Sequence, residues 1–284
     1  MFSKSKAHHY LVTYRTKQLL GVEDRQVKLK GFNQQALTTA RVILIGAGGL
    51  GGEIGEALVR KGVGTLTILD FDVVELSNLN RQLFGKNDLG KPKSHCLSRN
   101  LSKLGFLGSR IEGYSLSFQD ALQYGVDMVA DVVVCGVDNN PCRIAVSSYY
   151  QEQKIPVVFT AVSETADHGY CFLQLPGQAC LACQFPKALN DETYPCGTPA
   201  VKDILKVVSG IVSYAVDSLL MERLRTWNYK HCYLDGTIPG KDWLVPRSQD
   251  CPLCGTPQDQ SPDTIRHPAS QTPIPAGQIE GRLL

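Results

Sequence analysis

The sequence predicts an α/β protein built around a doubly wound, mostly parallel sheet. Short apolar runs of strand length recur through the first half of the chain, and segments with helical spacing of apolar residues separate them. The first run leads directly into a glycine-rich loop. Buried strands that alternate with helices are typical of a parallel sheet with helices on both faces.

Four apolar runs in the first half have the composition of buried strands. They cover residues 41–45, 65–69, 131–135 and 155–160. An apolar run without polar alternation is typical of a parallel strand that is covered on both sides. Helices are predicted over residues 53–61, which end at Gly62, and over residues 91–104, which begin near Pro92.

The second half of the chain has a different pattern, which predicts antiparallel strands added to the parallel sheet. A strand is expected at residues 170–175, a crossing loop at 184–199, and late strands at 233–234 and 243–245. Residues 203–225 form a long apolar helix whose apolar face is wider than one core stripe. Such a helix is either buried on all sides or uses one face as a subunit interface.

Composition limits the classes of function. The 284 residues include 29 basic and 27 acidic side chains, so the net charge of +2 does not favour a general binder of nucleic acid or membrane surfaces. No apolar run approaches the roughly 18 residues that a membrane span needs. The polar N-terminus has no signal-peptide core, and a cytoplasmic protein is expected. Ten cysteines in such a protein indicate metal binding or catalysis rather than disulfides.

The glycine-rich loop predicts an anion site. Gly46, Gly48, Gly49 and Gly51 follow the first strand and precede a helix, so bare backbone N–H groups would lie at a helix N-terminus. Phosphate is the usual anion there. Asp70 ends the next strand and is placed to accept hydrogen bonds from a ribose. This much fits an NAD-dependent oxidoreductase as well as an ATP site.

The polar run after Asp70 favours a nucleotide triphosphate. Asn78 and Arg81 lie just beyond the predicted ribose position, and Lys93 follows. A pair of cations suits a triphosphate, because its charge must be held while pyrophosphate leaves. Asp138 follows the strand at 131–135, and its carboxylate suits either a Mg²⁺ ion or a helix N-cap, two roles that do not exclude each other.

Two Cys-x-x-Cys pairs predict a structural zinc site. Cys180, Cys183, Cys251 and Cys254 supply four thiolates, which leave no open position on a tetrahedral Zn²⁺. A thioredoxin-like redox role is the weaker hypothesis, since neither pair follows a strand and opens a helix. Cys196, alone in a polar loop before the long helix, is either a nucleophile with a lowered pKa or a residue that only packs.

Taken in order, these segments resemble the MoeB/ThiF/HesA family, adenylating relatives of the ubiquitin-activating enzymes. The resemblance rests on GAGGLG at 46–51, LDFD at 69–72, SNLNRQ at 77–82, Lys93, Asp138 and the cysteines. It reaches back to the segment around Arg25 and covers residues 23–255 as one Rossmann-like adenylation domain. An N-terminal extension at 1–22 and a proline-rich, mobile tail at 256–284 are expected outside it.

The resemblance implies that ATP and Mg²⁺ activate the C-terminal glycine of a small ubiquitin-like protein as an acyl adenylate. The four loop glycines would approach the phosphates, Asp70 the ribose, Arg81 and Lys93 the phosphate charge, and Asp138 the Mg²⁺, while Asn78 supports the site. In similar homodimeric enzymes the arginine that matches Arg25 enters from the partner subunit, and the long helix would help to form that interface.

Two later steps remain open at this point. In the first, Cys196 takes the acyl group as a thioester and passes it to a conjugating-enzyme-like acceptor. In the second, the adenylate meets a sulfur donor, as in thiamine or molybdopterin synthesis. An NAD(P)-dependent oxidoreductase is the remote alternative, and Arg81, Lys93 and the paired cysteines argue against it.

Overall fold

The computed structural model describes residues 6–190, 200–236 and 239–255. Over these residues one sheet of nine strands runs through the molecule, in the order β1-β4-β3-β2-β5-β6-β7-β8-β9. The strands are β1 Leu11–Arg15, β2 Arg41–Ile45, β3 Thr65–Leu69, β4 Arg110–Tyr114, β5 Val132–Cys135, β6 Val157–Val162, β7 His168–Gln174, β8 Tyr229–Tyr233 and β9 Lys241–Trp243.

The sheet is parallel at its centre and antiparallel at both sides. Strands β4, β3, β2, β5 and β6 are mutually parallel. β1 pairs antiparallel with β4 on one side, and β7, β8 and β9 extend the other side as antiparallel neighbours. The carboxyl ends of the five central strands therefore share one edge, which is where α/β proteins of this kind bind ligands.

Helices cover both faces of the sheet. They are α1 Gln34–Thr39, α2 Gly49–Lys61, α3 Lys93–Leu101, α4 Phe118–Gln123, α5 Asn140–Glu152, α6 Leu181–Gln184 and α7 Lys202–Leu220. Helices α2, α3 and α7 pack on the face that holds Leu44, Leu66 and Val134. Helices α4 and α5 pack on the opposite face. None of the described helices is long and apolar enough to cross a membrane.

The predicted fold class is confirmed, and the largest differences lie at the margins of the sheet. β1 and β4 were not expected from the sequence. β1 lies at an edge of the sheet and has only partly buried or exposed residues, so it lacks the continuous apolar run that marks a buried strand. The late strands begin earlier than predicted, at Tyr229 and Lys241. Helix α7 ends at Leu220 rather than at 225.

Candidate functional site

The glycine loop connects β2 to α2 and has a conformation that glycine alone accepts. Gly46 has φ +101°, in the region that side chains disfavour. A Cβ on Gly51 would lie 2.0 Å from the carbonyl oxygen of Gly46, and a Cβ on Gly49 would lie 2.5 Å from Leu205 of α7. The backbone of the loop therefore requires glycine at Gly46 and Gly51, whereas a side chain at Gly49 would have to displace the end of Leu205.

Gly48 differs from its neighbours because the space above it is open. A Cβ there would have no atom closer than 4.0 Å, and that atom is Nε2 of Gln82. Gly48 is the N-cap of α2, where no side chain caps the helix, so the first N–H groups of the helix are available to a ligand. An open cradle with free N–H donors at a helix N-terminus is suited to phosphate.

Gln82 was not identified from the sequence as a site residue. Its Oε1 is buried and has no hydrogen-bond partner among the described residues. A buried amide oxygen without a partner costs free energy unless a ligand or water donates to it. Its position beside Gly48 gives the open space above the loop a polar wall. The one feature of the sequence that could have identified Gln82 as a site residue is its position directly after Arg81.

Asp70 lies at the carboxyl end of β3, next to the loop. Its Oδ2 accepts a hydrogen bond from the Ala47 N–H at 2.7 Å, and its Oδ1 accepts one from the Asp72 N–H at 2.8 Å. Burial raises the pKa of Asp70 to about 6, against the opposing effect of Lys93. The carboxylate is held rigidly, with lone pairs left for a ribose hydroxyl.

The structure brings Lys93 to the same edge. Lys93 is the first residue of α3, and its Nζ lies 2.8 Å from Oδ2 of Asp72. Arg81 donates to the Ser77 carbonyl oxygen at 2.6 Å. Asn78 is buried and accepts from the Glu75 N–H, so it stabilises the short turn that carries Arg81 and Gln82.

Asp138 follows the carboxyl end of β5 and is exposed. Its strand reaches the glycine loop, because the Gly136 N–H donates to the Ile45 carbonyl and a Cβ on Gly46 would lie 3.3 Å from Gly136. The helix cap in this segment is Asn139, whose Oδ1 accepts from the Cys142 N–H at 2.9 Å. The Asp138 carboxylate therefore has no capping role, and no hydrogen bond or ion pair to the described residues holds it. An exposed carboxylate beside the phosphate loop fits a Mg²⁺ ligand.

Arg25 does not join the other site residues within its own chain. Its neighbour Gln26 donates to the carbonyl oxygen of Lys61, the last residue of α2. Helix α2 has 13 residues, so its two ends are about 20 Å apart. The glycine loop is at the other end. Arg25 is exposed and its side chain lies far from the loop of its own chain.

The four paired cysteines meet, although the two pairs are far apart in sequence. The Sγ–Sγ distances are 3.9 Å for Cys180–Cys183, 3.5 Å for Cys180–Cys251 and 3.3 Å for Cys183–Cys254. A disulfide needs about 2.05 Å, whereas four thiolates around Zn²⁺, each about 2.3 Å from the metal, are about 3.8 Å apart. All four sulfur atoms lie within 4.8 Å of one another, which fits the predicted zinc site.

The cluster joins α6 to the segment after β9. Gly255 donates to the Cys251 carbonyl at 2.7 Å, and a Cβ on Gly255 would lie 2.3 Å from the Gln249 carbonyl oxygen. The Ser248 N–H points at the Cys183 sulfur at 3.5 Å, as expected for a donor to a thiolate. The prediction for Cys196 falls in residues 191–199, outside the described residues, as does the predicted tail at 256–284.

Comparison with known proteins agrees with this geometry. The ThiF family profile matches residues 19–247. The SAMP-activating enzyme E1 of Haloferax volcanii is 30% identical, over 78% of this chain and 83% of that protein. The sulfur carrier protein adenylyltransferase of Thermus thermophilus is also 30% identical, over 78% of this chain and 84% of that protein.

A solved structure of E. coli MccB with ATP superposes with a TM-score of 0.66 at 24% identity, and the match covers 78% of this chain and 68% of that one. At this identity the likeness concerns the fold. The extent of the family match and the identity to the two relatives together show that the chain belongs to the ThiF family of adenylating enzymes.

Proposed function

We propose that this protein uses ATP to adenylate the C-terminal glycine of a small ubiquitin-like protein. The observation that carries the proposal is the open, uncapped N-terminus of α2 at Gly48, next to the Gln82 side-chain amide, whose oxygen has no partner among the described residues. The relatives support the choice of chemistry, since their names describe activation of SAMP and adenylylation of a sulfur carrier protein.

The residues of the loop and of β3 would bind the two ends of the nucleotide. The N–H groups at the start of α2 donate to phosphate oxygens, and the Gln82 amide contributes a polar contact. The Asp70 carboxylate accepts a hydrogen bond from a ribose hydroxyl, while its hydrogen bonds from the Ala47 and Asp72 N–H groups hold it in place. This division fixes the α-phosphorus relative to the incoming carboxylate, which is the positioning that the reaction needs.

The charge on the phosphates requires cations in addition to the helix N-terminus. Lys93 is available at the start of α3, where Asp72 currently pairs with it, and Arg81 lies on the preceding turn. Movement of the Lys93 ammonium from Asp72 toward the leaving pyrophosphate would stabilise the charge that develops there. Asp138 would hold Mg²⁺, which supplies further neutralisation of phosphate charge. The four-cysteine cluster would hold one structural Zn²⁺.

Arg25 would act in the site of a second copy of the chain. The bond from Gln26 to the last residue of α2 supports this, because the glycine loop is at the other end of that helix, about 20 Å away. Helix α7 presents Val207 and Tyr214 to solvent on one side, with Ile211 half-buried between them, and this stripe is available to a subunit interface. A homodimer would place one Arg25 in each site.

Mixing two inactive variants tests this arrangement. Arg25→Ala and Asp138→Ala chains are mixed, and subunit exchange is confirmed with a mass tag. In the mixed dimers, one of the two nucleotide sites then has both Arg25 and Asp138, so part of the pyrophosphate exchange activity is expected to return. No recovery would show that Arg25 acts within its own chain or has no catalytic role.

Isotope exchange tests the reaction itself. With Mg²⁺ and a Gly-Gly-ending ubiquitin-like protein of the same organism, the enzyme is expected to exchange labelled pyrophosphate into ATP. ATP is also expected to raise the melting temperature, and NADH is not. A shift with NADH alone and no exchange with any such protein would support an oxidoreductase instead. The cytoplasm suits the reaction, since ATP is present there and the cluster thiols stay reduced.

The fate of the adenylate depends on Cys196. We favour attack by this thiol, which forms a thioester, releases AMP and allows transfer to a conjugating-enzyme-like acceptor. Cys196→Ala is then expected to keep pyrophosphate exchange but to lose any adduct that dithiothreitol releases. The same dithiothreitol-sensitive adduct in both proteins, or an adduct in neither, would favour transfer to a separate sulfur donor or direct attack on the adenylate.

A further inference from the structure

A buried arginine lies behind the segment that carries the exposed Asp138 carboxylate. Arg143 is the fourth residue of α5 and is only 3% exposed. Side chains on an α-helix lean toward its N-terminus, so the Arg143 side chain extends back over the first turn of α5. It reaches residues 136–139, which connect β5 to α5 and include Asp138.

The Arg143 guanidinium binds the residue directly before Asp138. Its Nε and Nη2 atoms donate to the Val137 carbonyl oxygen at 2.9 and 2.7 Å. Two donors on one rigid, planar group fix both the distance and the direction of that carbonyl. Because the Val137 carbonyl belongs to the planar peptide unit that leads to Asp138, these bonds also fix the point from which the Asp138 side chain extends.

The same guanidinium is anchored to the sheet. Its Nη1 donates to the Tyr170 hydroxyl at 3.0 Å, and its Nη2 donates to the Thr160 carbonyl oxygen at 3.3 Å. Thr160 and Tyr170 are buried residues of the neighbouring strands β6 and β7, and the Thr160 hydroxyl donates to the Tyr170 carbonyl oxygen at 2.8 Å. Arg143 therefore connects the segment at 136–139 to two paired strands.

The glycine loop and α5 hold the two ends of the same segment. At one end, the Gly136 N–H donates to the Ile45 carbonyl oxygen at 3.0 Å. At the other end, Asn139 caps α5 through its bond from the Cys142 N–H. Asp138 thus follows and precedes residues that hydrogen bonds hold, while its own side chain is exposed. A ligand of this carboxylate would not have to order the backbone that carries it.

An arginine suits this position better than an apolar side chain of the same length. Burial of a guanidinium has a desolvation cost, which an apolar residue would avoid. An apolar residue, however, would leave the Val137 carbonyl without these two donors. Hydrogen bonds from outside the ligand set are a common way to orient the side chains that bind a metal ion. The bonds of Arg143 are of this kind, since they act on the backbone next to Asp138.

We propose that Arg143 is a positioning residue, which holds the Val137–Asp138 peptide so that the Asp138 carboxylate can bind the Mg²⁺ of the nucleotide. The proposal rests on the proposed function, in which Asp138 is the Mg²⁺ ligand. Arg143 would contact neither the metal nor ATP, because its side chain is buried against β6 and β7.

Calorimetric titration with ATP, in the presence and in the absence of Mg²⁺, tests the proposal without turnover. Arg143→Lys keeps the positive charge but lacks the planar pair of donors. Mg²⁺ is expected to tighten ATP binding by the wild-type protein, and this gain in affinity is expected to be about tenfold smaller in the variant. The affinity for ATP without Mg²⁺ should stay the same, since the glycine loop and Gln82 are unchanged.

Two further variants separate the effect of geometry from the effect of charge. A cation behind Asp138 repels Mg²⁺, so loss of the charge alone would strengthen Mg²⁺ binding. Arg143→Gln removes the charge, and the proposal predicts weaker Mg²⁺ binding for it as well. Arg225→Lys is the matched control, because Arg225 is half-buried and donates to Ser218 of α7. This control is expected to keep the full gain from Mg²⁺.

A double-mutant cycle shows whether Arg143 acts through Asp138. Asp138→Asn is expected to remove the gain from Mg²⁺, and Arg143→Lys added to that variant is expected to cause no further loss of ATP affinity. Additive losses would overturn the proposal. An unchanged gain in folded Arg143→Lys protein would also overturn it. Failure of both Arg143 variants to fold would do the same, because it would make Arg143 a requirement of the fold itself.

The titrations separate failure of this proposal from failure of the proposed function. Wild-type protein that binds no ATP, with or without Mg²⁺, would refute the proposed function. Wild-type protein that binds ATP more tightly with Mg²⁺, together with an Arg143→Lys variant that does so equally, would refute only the role of Arg143.

Discussion

The nucleotide edge and the cysteine cluster are built in opposite ways. At the nucleotide edge, a continuous loop of glycines presents backbone N–H groups, and the chain leaves space above Gly48. In the cluster, four side chains from two distant segments converge until their sulfur atoms lie within 4.8 Å. The first site is open above Gly48, whereas the second is closed and mostly buried.

Because of this difference, we expect substitutions at the nucleotide edge to affect catalysis and substitutions in the cysteine cluster to affect stability. A ligand at the open edge would be exchanged in every reaction cycle, so residues whose side chains contact only the ligand can be changed at little cost to the fold. A metal in the closed cluster would cross-link α6 to the segment after β9, so its residues should matter mainly for folding. The predictions below test this separation, beginning with the largest expected effect.

Loss of Asp138 should affect catalysis alone. Asp138→Ala is expected to lower pyrophosphate exchange by at least about 100-fold, because the Mg²⁺ that this carboxylate would hold neutralises phosphate charge. The melting temperature should stay the same, since the side chain is exposed and unpaired within the described structure. Asp127→Ala is the control, because Asp127 forms an exposed ion pair with Arg41 and should change neither quantity appreciably.

Loss of one cluster cysteine should affect stability first. Cys254→Ser is expected to release zinc and to lower the free energy of unfolding by several kcal/mol, about 3 or more. Cys232→Ser, in a half-buried cysteine outside the cluster, should keep the metal. Elemental analysis and urea unfolding check both. Freshly prepared wild-type protein without zinc would contradict the assignment.

Two glycines of the same loop should behave differently. Gly51→Ala places a methyl group 2.0 Å from the Gly46 carbonyl oxygen and is expected to destabilise the loop by about 2 kcal/mol or more. Gly48→Ala meets no atom closer than 4.0 Å, so the fold should tolerate it. ATP binding should nevertheless weaken about tenfold, because the methyl group occupies the phosphate position. Calorimetry and thermal unfolding measure the two effects. Equal losses of stability would show that Gly48 is also structural.

The features that the sequence predicted correctly are formed by contiguous segments of the chain. The strand, glycine loop and helix around residues 41–61 are contiguous, and each Cys-x-x-Cys pair is recognisable alone. Alternation between buried strands and helices was enough for the fold class. Strand β1 escaped prediction because an edge strand pairs on one side only and needs no continuous apolar run.

The rest depends on distances that no local pattern encodes. The unpartnered oxygen of Gln82 is known only once β2 and the 78–82 turn meet. The pairing of Lys93 with Asp72 joins residues on either side of a long turn. The position of the Arg25 segment at the C-terminal end of α2, away from the glycine loop, follows from one hydrogen bond between Gln26 and Lys61.

The smallest expected effect concerns pH. The pKa of Asp70 is about 6 in the folded protein because of burial, above the ordinary value near 4 of an unfolded chain. The folded state therefore binds this proton more tightly, and the contribution of Asp70 to stability is greatest below about pH 4 and is lost as the pH rises through 6. Asp70→Asn should remove about 1–2 kcal/mol of that pH dependence between pH 4 and 7. Urea unfolding over a pH series measures it. Parallel curves for both proteins would show that Asp70 is not desolvated.

Mass spectrometry of the activated partner tests the central claim most directly. Wild-type enzyme is mixed with ATP, Mg²⁺ and a Gly-Gly-ending ubiquitin-like protein, and the intact mass of the small protein is measured after rapid acid quenching. The account predicts an increase equal to one AMP less one water, absent when Asp138→Ala enzyme is used or when the terminal glycine is deleted. An unmodified partner, with ATP consumed or not, would contradict adenylation.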